Sequence, residues 1–151
     1  MPNNTKFRIY AAAYLVLEND EHVLLLKRSH TGYQDGNYSL VAGHLDGAET
    51  ARQSIIREAS EEAGIKLHPE DLEVVHLMHR FSPTREYFDI FLRGKKWSGE
   101  IVNKEPNKCD ELKWFPLDEL PINMVPEVRL ALENIARGEF YSEFGWENAM
   151  I

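Results

Sequence analysis

Residues 43–65 read GHLDGAETARQSIIREASEEAGI, and this stretch limits the chain's structure more tightly than any other. After Thr50 it has no Gly or Pro until Gly64. Good helix formers fill the interval, and Ala51, Ile55, Ala59 and Ala63 recur at helical spacing. That pattern predicts one helix of about fourteen residues. Gly64 then ends it as a left-handed cap.

On such a helix Glu58, Glu61 and Glu62 fall at i, i+3 and i+4, so three carboxylates adjoin and repel one another. At about 100° per residue, Glu62 lies at the margin of the apolar stripe and Glu58 just outside it. Anions placed there lose part of their water and need a compensating cation. Oxygen donors alone suit magnesium, manganese or calcium better than zinc. Ahead of the helix, residues 41–49 hold Gly43, Asp46, Gly47 and Glu49 and read as a tight loop that brings backbone close to a ligand. Where such a loop enters a helix, its free N–H groups suit phosphate and its carbonyls can face a metal. A solvated acidic face is the ordinary meaning of several Glu on one helix. It accounts for neither the flanking glycines nor the distances to Glu49 and Arg57.

Gly43, Glu49, Arg57, Glu58, Ala59, Glu61, Glu62, Gly64 and Ile65 fit the pattern G-x5-E-x7-R-E-U-x-E-E-x-G-U, where U is apolar. This resembles the box of the Nudix hydrolase family. A weaker likeness to its MutT-type nucleoside triphosphate pyrophosphohydrolases runs over most of the chain. At roughly 7% per residue type, a chance match at the seven fixed positions is on the order of 10⁻⁸. The resemblance implies an α/β fold, an α/β/α sandwich around a mixed β-sheet, formed by residues 1–151 as a single domain. It also implies Mg²⁺-dependent hydrolysis, with Mn²⁺ as a possible substitute, of a nucleoside diphosphate linked to another group. The expected outcome is a nucleoside triphosphate, normal or modified, cut to monophosphate and pyrophosphate. By the same resemblance Glu58, Glu61 and Glu62, with the carbonyl of Ala42, take the metal-ligand roles. Arg57 orients a carboxylate and Glu49 supports the loop. Where MutT-like members often carry Gly-Gly, this chain has Ala42-Gly43.

Composition fits one enzyme domain: 151 residues, 43% hydrophobic, are enough to bury a real core. A single Cys excludes an internal disulfide. With no apolar run near membrane-spanning length and no leader pattern at MPNNTKFRIY, the expectation is a cytoplasmic protein that does not enter a membrane. A net charge of −8 disfavours a nucleic-acid polymer as ligand. A small nucleotide is compatible, because a metal supplies positive charge locally. Assembly as monomer or homodimer stays open.

Runs 7–18 and 22–28 read as strands joined by an Asn19-Asp20 hairpin signal, followed by a polar loop at 29–38 and a segment at 39–41 that feeds the box. Runs 72–81 and 86–96 read as a hairpin pair, 98–110 as a polar loop, 112–115 as a short strand, and 126–137 as a second helix ended by Gly138. Mixed strands with two helices give a sheet covered on both faces.

Outside the box, Glu105 lies where MutT-like enzymes carry a further acid that binds metal or activates water; its plain reading is a solvated loop charge. Arg28 matches a nucleotide-contacting position in related enzymes, or is simply a surface Arg at a strand end. His44 is the His best placed for phosphate. Phe81, Tyr87, Phe88 and Phe91 include a candidate base-stacking wall headed by Phe81, although strand alternation puts Tyr87, Asp89 and Phe91 on one face and Phe88 and Ile90 on the other. His76 and His79 point to opposite sides, which disfavours a shared zinc site. The tail carrying Phe140, Tyr141, Phe144 and Trp146 either covers its own sheet or seals a dimer. Other substrates fit the same box: ADP-ribose, a dinucleoside polyphosphate or dihydroneopterin triphosphate. A ligand sensor without turnover is a further reading, although sensors usually lose box carboxylates and here none is missing.

Overall fold

The computed structural model describes residues 5–149. Residues 1–4, part of the stretch read for a leader, and the last two residues of the aromatic tail lie outside it. The strands are β1 (Tyr10–Asn19), β2 (His22–Arg28), β3 (Tyr38–Ser39), β4 (Val41–His44), β5 (Leu72–Phe81), β6 (Glu86–Gly94), β7 (Cys109–Pro116) and β8 (Tyr141–Phe144). The helices are α1 (Ala51–Ala63) and α2 (Pro126–Ala136).

One mixed sheet runs β3-β2-β1-β6-β5-β8, with β4 paired to β1 and β7 to β2. The β1/β6 and β5/β8 pairs are parallel and the others antiparallel. Period-two alternation along β1 divides the core: Ala13, Leu15 and Leu17 join Ile55, Ala59 and Ala63 of α1, while Val16 joins Val128, Ala131 and Leu132 of α2. Each face of the sheet therefore buries the apolar stripe of one helix, giving the expected sandwich.

Local chemistry sets the ends of α1. Thr50 and Gln53 form a reciprocal capping box at its start, and Gly64 closes it at φ 69°. The Val102 and Lys104 amides donate to the carbonyls of Ala63 and Glu62. The loop that carries Glu105 is thereby pinned across the end of the acidic helix.

Three elements differ from the sequence expectation. The β1/β2 turn centres on Asp20 and Glu21, at φ 51° and 61°, with Asn19 already paired to His22. Both central residues adopt the left-handed conformation that this two-residue turn needs, and Asn19 only flanks it. Glu21→Gly should relieve the strain at the second position and stabilise the protein by about 0.5–1 kcal/mol, visible as a melting point a few degrees higher. An unchanged or lower melting point would count against that reading. The second difference is β7, which begins at Cys109 instead of 112: its polar start lacks alternation, yet it pairs along the whole of β2. The third is Val41–His44, read as the start of the tight loop, which forms β4 against β1. The tail covers its own sheet, one of the two readings the sequence left open, by adding β8 beside β5. His76, fully buried, holds it through the Glu139 carbonyl and the Ser142 hydroxyl, and the Trp146 indole donates to the His79 carbonyl.

Candidate active site

Glu58, Glu61, Glu62 and Glu105 line one cavity of about 430 Å³, together with His30 and Lys108. The helical spacing supplies the first three acids and the pinned loop supplies the fourth. Within that loop the Glu105 amide donates to Asn103 Oδ1, and the Asn103 amide group donates to the Cys109 carbonyl. Burial separates the acids: the Glu58 side chain is 15% exposed and that of Glu61 54%. Glu62 is the most strongly perturbed. Its carboxyl is pushed up from 4.5 to about 9, first by burial, then by its hydrogen bond to and the charge of Glu58, then by the charge of Glu105.

Arg57 organises the acids around it. Its Nη2 reaches Glu49 Oε1 at 3.0 Å and Asp46 Oδ2 at 3.2 Å, and its Nη1 reaches Glu58 Oε1 at 2.8 Å and Glu61 Oε2 at 3.5 Å. Glu49 also accepts the Asp46 amide at 2.9 Å, and these two donors hold its carboxyl below the usual range. One guanidinium thus ties the loop before α1 to the helix itself. Gly43 fits this arrangement for a steric reason: a Cβ there would lie 2.3 Å from both Cδ and Oε1 of Glu58.

These residues suit a hard divalent cation. Every donor is oxygen, and the buried Oε2 of Glu62 has no hydrogen-bond partner. Among the described residues, no three His, Cys, Asp or Glu side chains stand as a ready-made metal-holding group. The reason is visible in the contacts, since Arg57 engages Glu58 and Glu61 and Glu62 turns toward Glu58. A bound cation would join Arg57 in balancing the charge of these acids.

A second cavity, about 650 Å³, adjoins the first and shares Arg28 and Ala42 with it. Tyr14, Tyr33, His44, Tyr87 and Glu127 line it. Arg80 lines it too and bonds both oxygens of buried Asp89, at 2.6 and 3.1 Å, across the diagonal of the β5/β6 ladder. Burial pushes the Asp89 carboxyl up and Arg80 opposes it. Burial also raises the Tyr14 and Tyr33 phenols, with the hydrogen bond to Glu127 adding to the shift of Tyr33.

The structure brings Ala42, Glu58, Glu61, Glu62 and Glu105 to one cavity and Arg28 to its border with the next. Arg57 stands among the acids it binds. Gly43 and His44 line the larger cavity, where the His44 ring lies 6.0 Å from Tyr10 and 5.6 Å from Tyr87. Phe81 lies against Trp146, ring centres 5.2 Å apart, and lines neither cavity. Sequence reasoning passed over Tyr14, Tyr33, Arg80, Asp89 and Glu127. The one available signal was Asp89, an acid placed by alternation on the same strand face as Tyr87 and Phe91.

The family model described as the NUDIX domain matches residues 6–135. NAD-capped RNA hydrolase NudC of Stutzerimonas stutzeri is 32% identical over 107 residues, covering 71% of this chain and 36% of that protein. The chain thus spans little more than a third of the length of that relative. A MutT NUDIX hydrolase from Burkholderia pseudomallei superposes with a TM-score of 0.77 at 26% identity, covering 84% of this chain and 98% of the other. An ADP-ribose pyrophosphatase from Streptococcus suis shares the fold, with a TM-score of 0.61 at 18% identity, covering 91% of this chain and all of that one. With the complete acidic box on α1, these matches show that the chain belongs to the Nudix hydrolase family.

Proposed function

We propose that the chain hydrolyses a small nucleotide with the help of Mg²⁺, and that a nucleoside triphosphate, cut to monophosphate and pyrophosphate, is the substrate it fits best. The observation that carries this reading is the pair of adjoining cavities, one holding four glutamates and one walled by tyrosines, with Arg28 between them. Glu58, Glu61, Glu62 and the Ala42 carbonyl would hold the metal. A bound magnesium supplies charge neutralisation at phosphate and a more acidic water. Glu105 accepts the proton of the attacking water, whose oxygen bonds to phosphorus as the anhydride P–O bond breaks. Arg57 orients Glu58, and Arg28 meets the phosphate chain where it passes from one cavity to the other. Retention of every box acid supports turnover over ligand sensing. Buried Cys109, the one cysteine, fits a reducing cytoplasmic setting.

NAD or another dinucleotide is the second reading, favoured by the name of the NudC relative. A phosphate-release screen with magnesium separates the two. Normal and oxidised nucleoside triphosphates, ADP-ribose, NAD and dinucleoside polyphosphates are compared, with products resolved by chromatography. Pyrophosphate and a monophosphate from a triphosphate are expected. Turnover of dinucleotides alone would establish the second reading, and no turnover of any would overturn both.

A further inference from the structure

Glu127 is 4% exposed and yet lines the larger cavity. It follows Pro126 in the first turn of α2, where the free N–H groups of the helix favour a negative charge. The start of that helix is docked on β3 by Tyr38–Asn123 and Val125–Tyr38 backbone hydrogen bonds, so the side chain is delivered to a fixed place. The Tyr33 hydroxyl donates to Oε2 of Glu127 at 2.6 Å, and Arg80 Nη1 stands 3.6 Å from the same oxygen. Arg80 is engaged elsewhere: its Nε and Nη2 bond Asp89, and its guanidinium lies 3.9 Å from the centre of the Tyr87 ring.

Two buried carboxylates therefore share one guanidinium. A carboxylate offers about four acceptor positions, and the described contacts of Glu127 converge on Oε2. Buried acceptor capacity is costly unless donors fill it, and the open side here is the cavity. The cavity calls for a ligand with N–H donors at the Glu127 end and, where it meets the glutamate cavity beside Arg28, an anionic chain.

Resting on the nucleotide reading above, we propose that Glu127 is the specificity-determining residue of the larger cavity and accepts the paired N–H and NH₂ donors of a 2-amino-4-oxo ring, the edge common to guanine and pterins. Two parallel donors match the two-oxygen acceptor face of a carboxylate. Adenine and cytosine place their amino group beside a ring-nitrogen acceptor, so one contact becomes repulsive. Uracil places its N–H between two carbonyls, and hypoxanthine keeps the N–H but lacks the amino group. Tyr14 and Tyr87 line the same cavity and add aromatic surface to its wall. Tyr33 and Arg80 are positioning residues: the Tyr33 hydrogen bond takes one acceptor position of Oε2 and Arg80 stands at 3.6 Å, so both oxygens keep an acceptor position for the two donors.

Calorimetry on the EDTA-treated protein reads the preference without turnover, using GDP, IDP, ADP and UDP. GDP should bind about tenfold to a hundredfold more tightly than IDP, and UDP should bind most weakly. Glu127→Gln should bring the GDP to IDP ratio close to one, and Tyr33→Phe, which removes only a hydroxyl, should narrow it. Thermal melts check that both variants fold, and the milder one still reads the ratio if Glu127→Gln does not. Dihydroneopterin triphosphate run against GTP tells the pterin source of the edge from the guanine source. Equal affinity for GDP, IDP and UDP, no binding of any, or an unaltered ratio in both variants would overturn the proposal. Parallel hydrolysis assays with magnesium keep the two ideas apart: a guanine preference without turnover would sink the catalytic reading and leave this one standing.

Discussion

Glu62→Gln should lower turnover by about a thousandfold while making the metal-free protein more stable at neutral and alkaline pH. The first effect follows from losing a charged oxygen donor in a site built only of oxygens. A thousandfold corresponds to about 4 kcal/mol at 1.36 kcal/mol per factor of ten. The second follows from linkage. The ordinary value for this carboxyl is 4.5, and burial beside Glu58 raises it to about 9 in the folded chain. Between those values the folded state keeps a proton that the unfolded state has lost, so stability is full below pH 4.5 and declines as pH rises toward 9. Glutamine carries no such proton, so the variant should not share this decline. Melts in EDTA at pH 5, 7 and 9 should show the parent falling away from the variant by several degrees, and magnesium should reverse the order. Magnesium uptake by the parent near pH 7 should also release a proton, read as a dependence of the calorimetric heat on buffer ionisation. Parallel melting of parent and variant across the range, or full activity in the variant, would remove Glu62 from the site.

Gly43→Ala should uncouple activity from folding in a different way. The new Cβ would meet the outer atoms of Glu58, with Cδ and Oε1 at 2.3 Å and Cγ at 2.7 Å. Those atoms end a flexible side chain, so Glu58 can swing aside and the melting point should move by less than the equivalent of about 1 kcal/mol. The swing nevertheless takes Oε1 away from Arg57 and from the position a metal needs. A displacement of that size should cost about a hundredfold in kcat/KM and raise the magnesium concentration at half-maximal rate. If the magnesium dependence stayed the same, Glu58 would have no part in holding the metal.

The acidic box was legible because its parts are local. Glu58, Glu61 and Glu62 share one helix whose start and stop are written in Thr50, Gln53 and Gly64, and local rules carry such a segment directly into three dimensions. The sandwich followed from strand and helix periodicity, with errors only where periodicity was weak. The polar beginning of β7 and the left-handed turn at Asp20 and Glu21 are the two clear instances. The larger cavity was opaque for the opposite reason. Tyr33 and Glu127 are 94 positions apart, and neither local sequence shows that a phenol from one loop meets a carboxylate at the start of a distant helix. Phe81 misled for a related cause. An aromatic residue at a strand end invites a stacking role, yet its face is taken by Trp146 from a tail whose pairing with β5 no local pattern announced.

Arg28 and Ala42 are the residues common to both cavities, and they have a consequence for the charge of whatever spans them. Arg28 is the cation of the two, so a molecule occupying the two halves at once meets a guanidinium at the crossing, and a negatively charged middle is the part of it that this border favours.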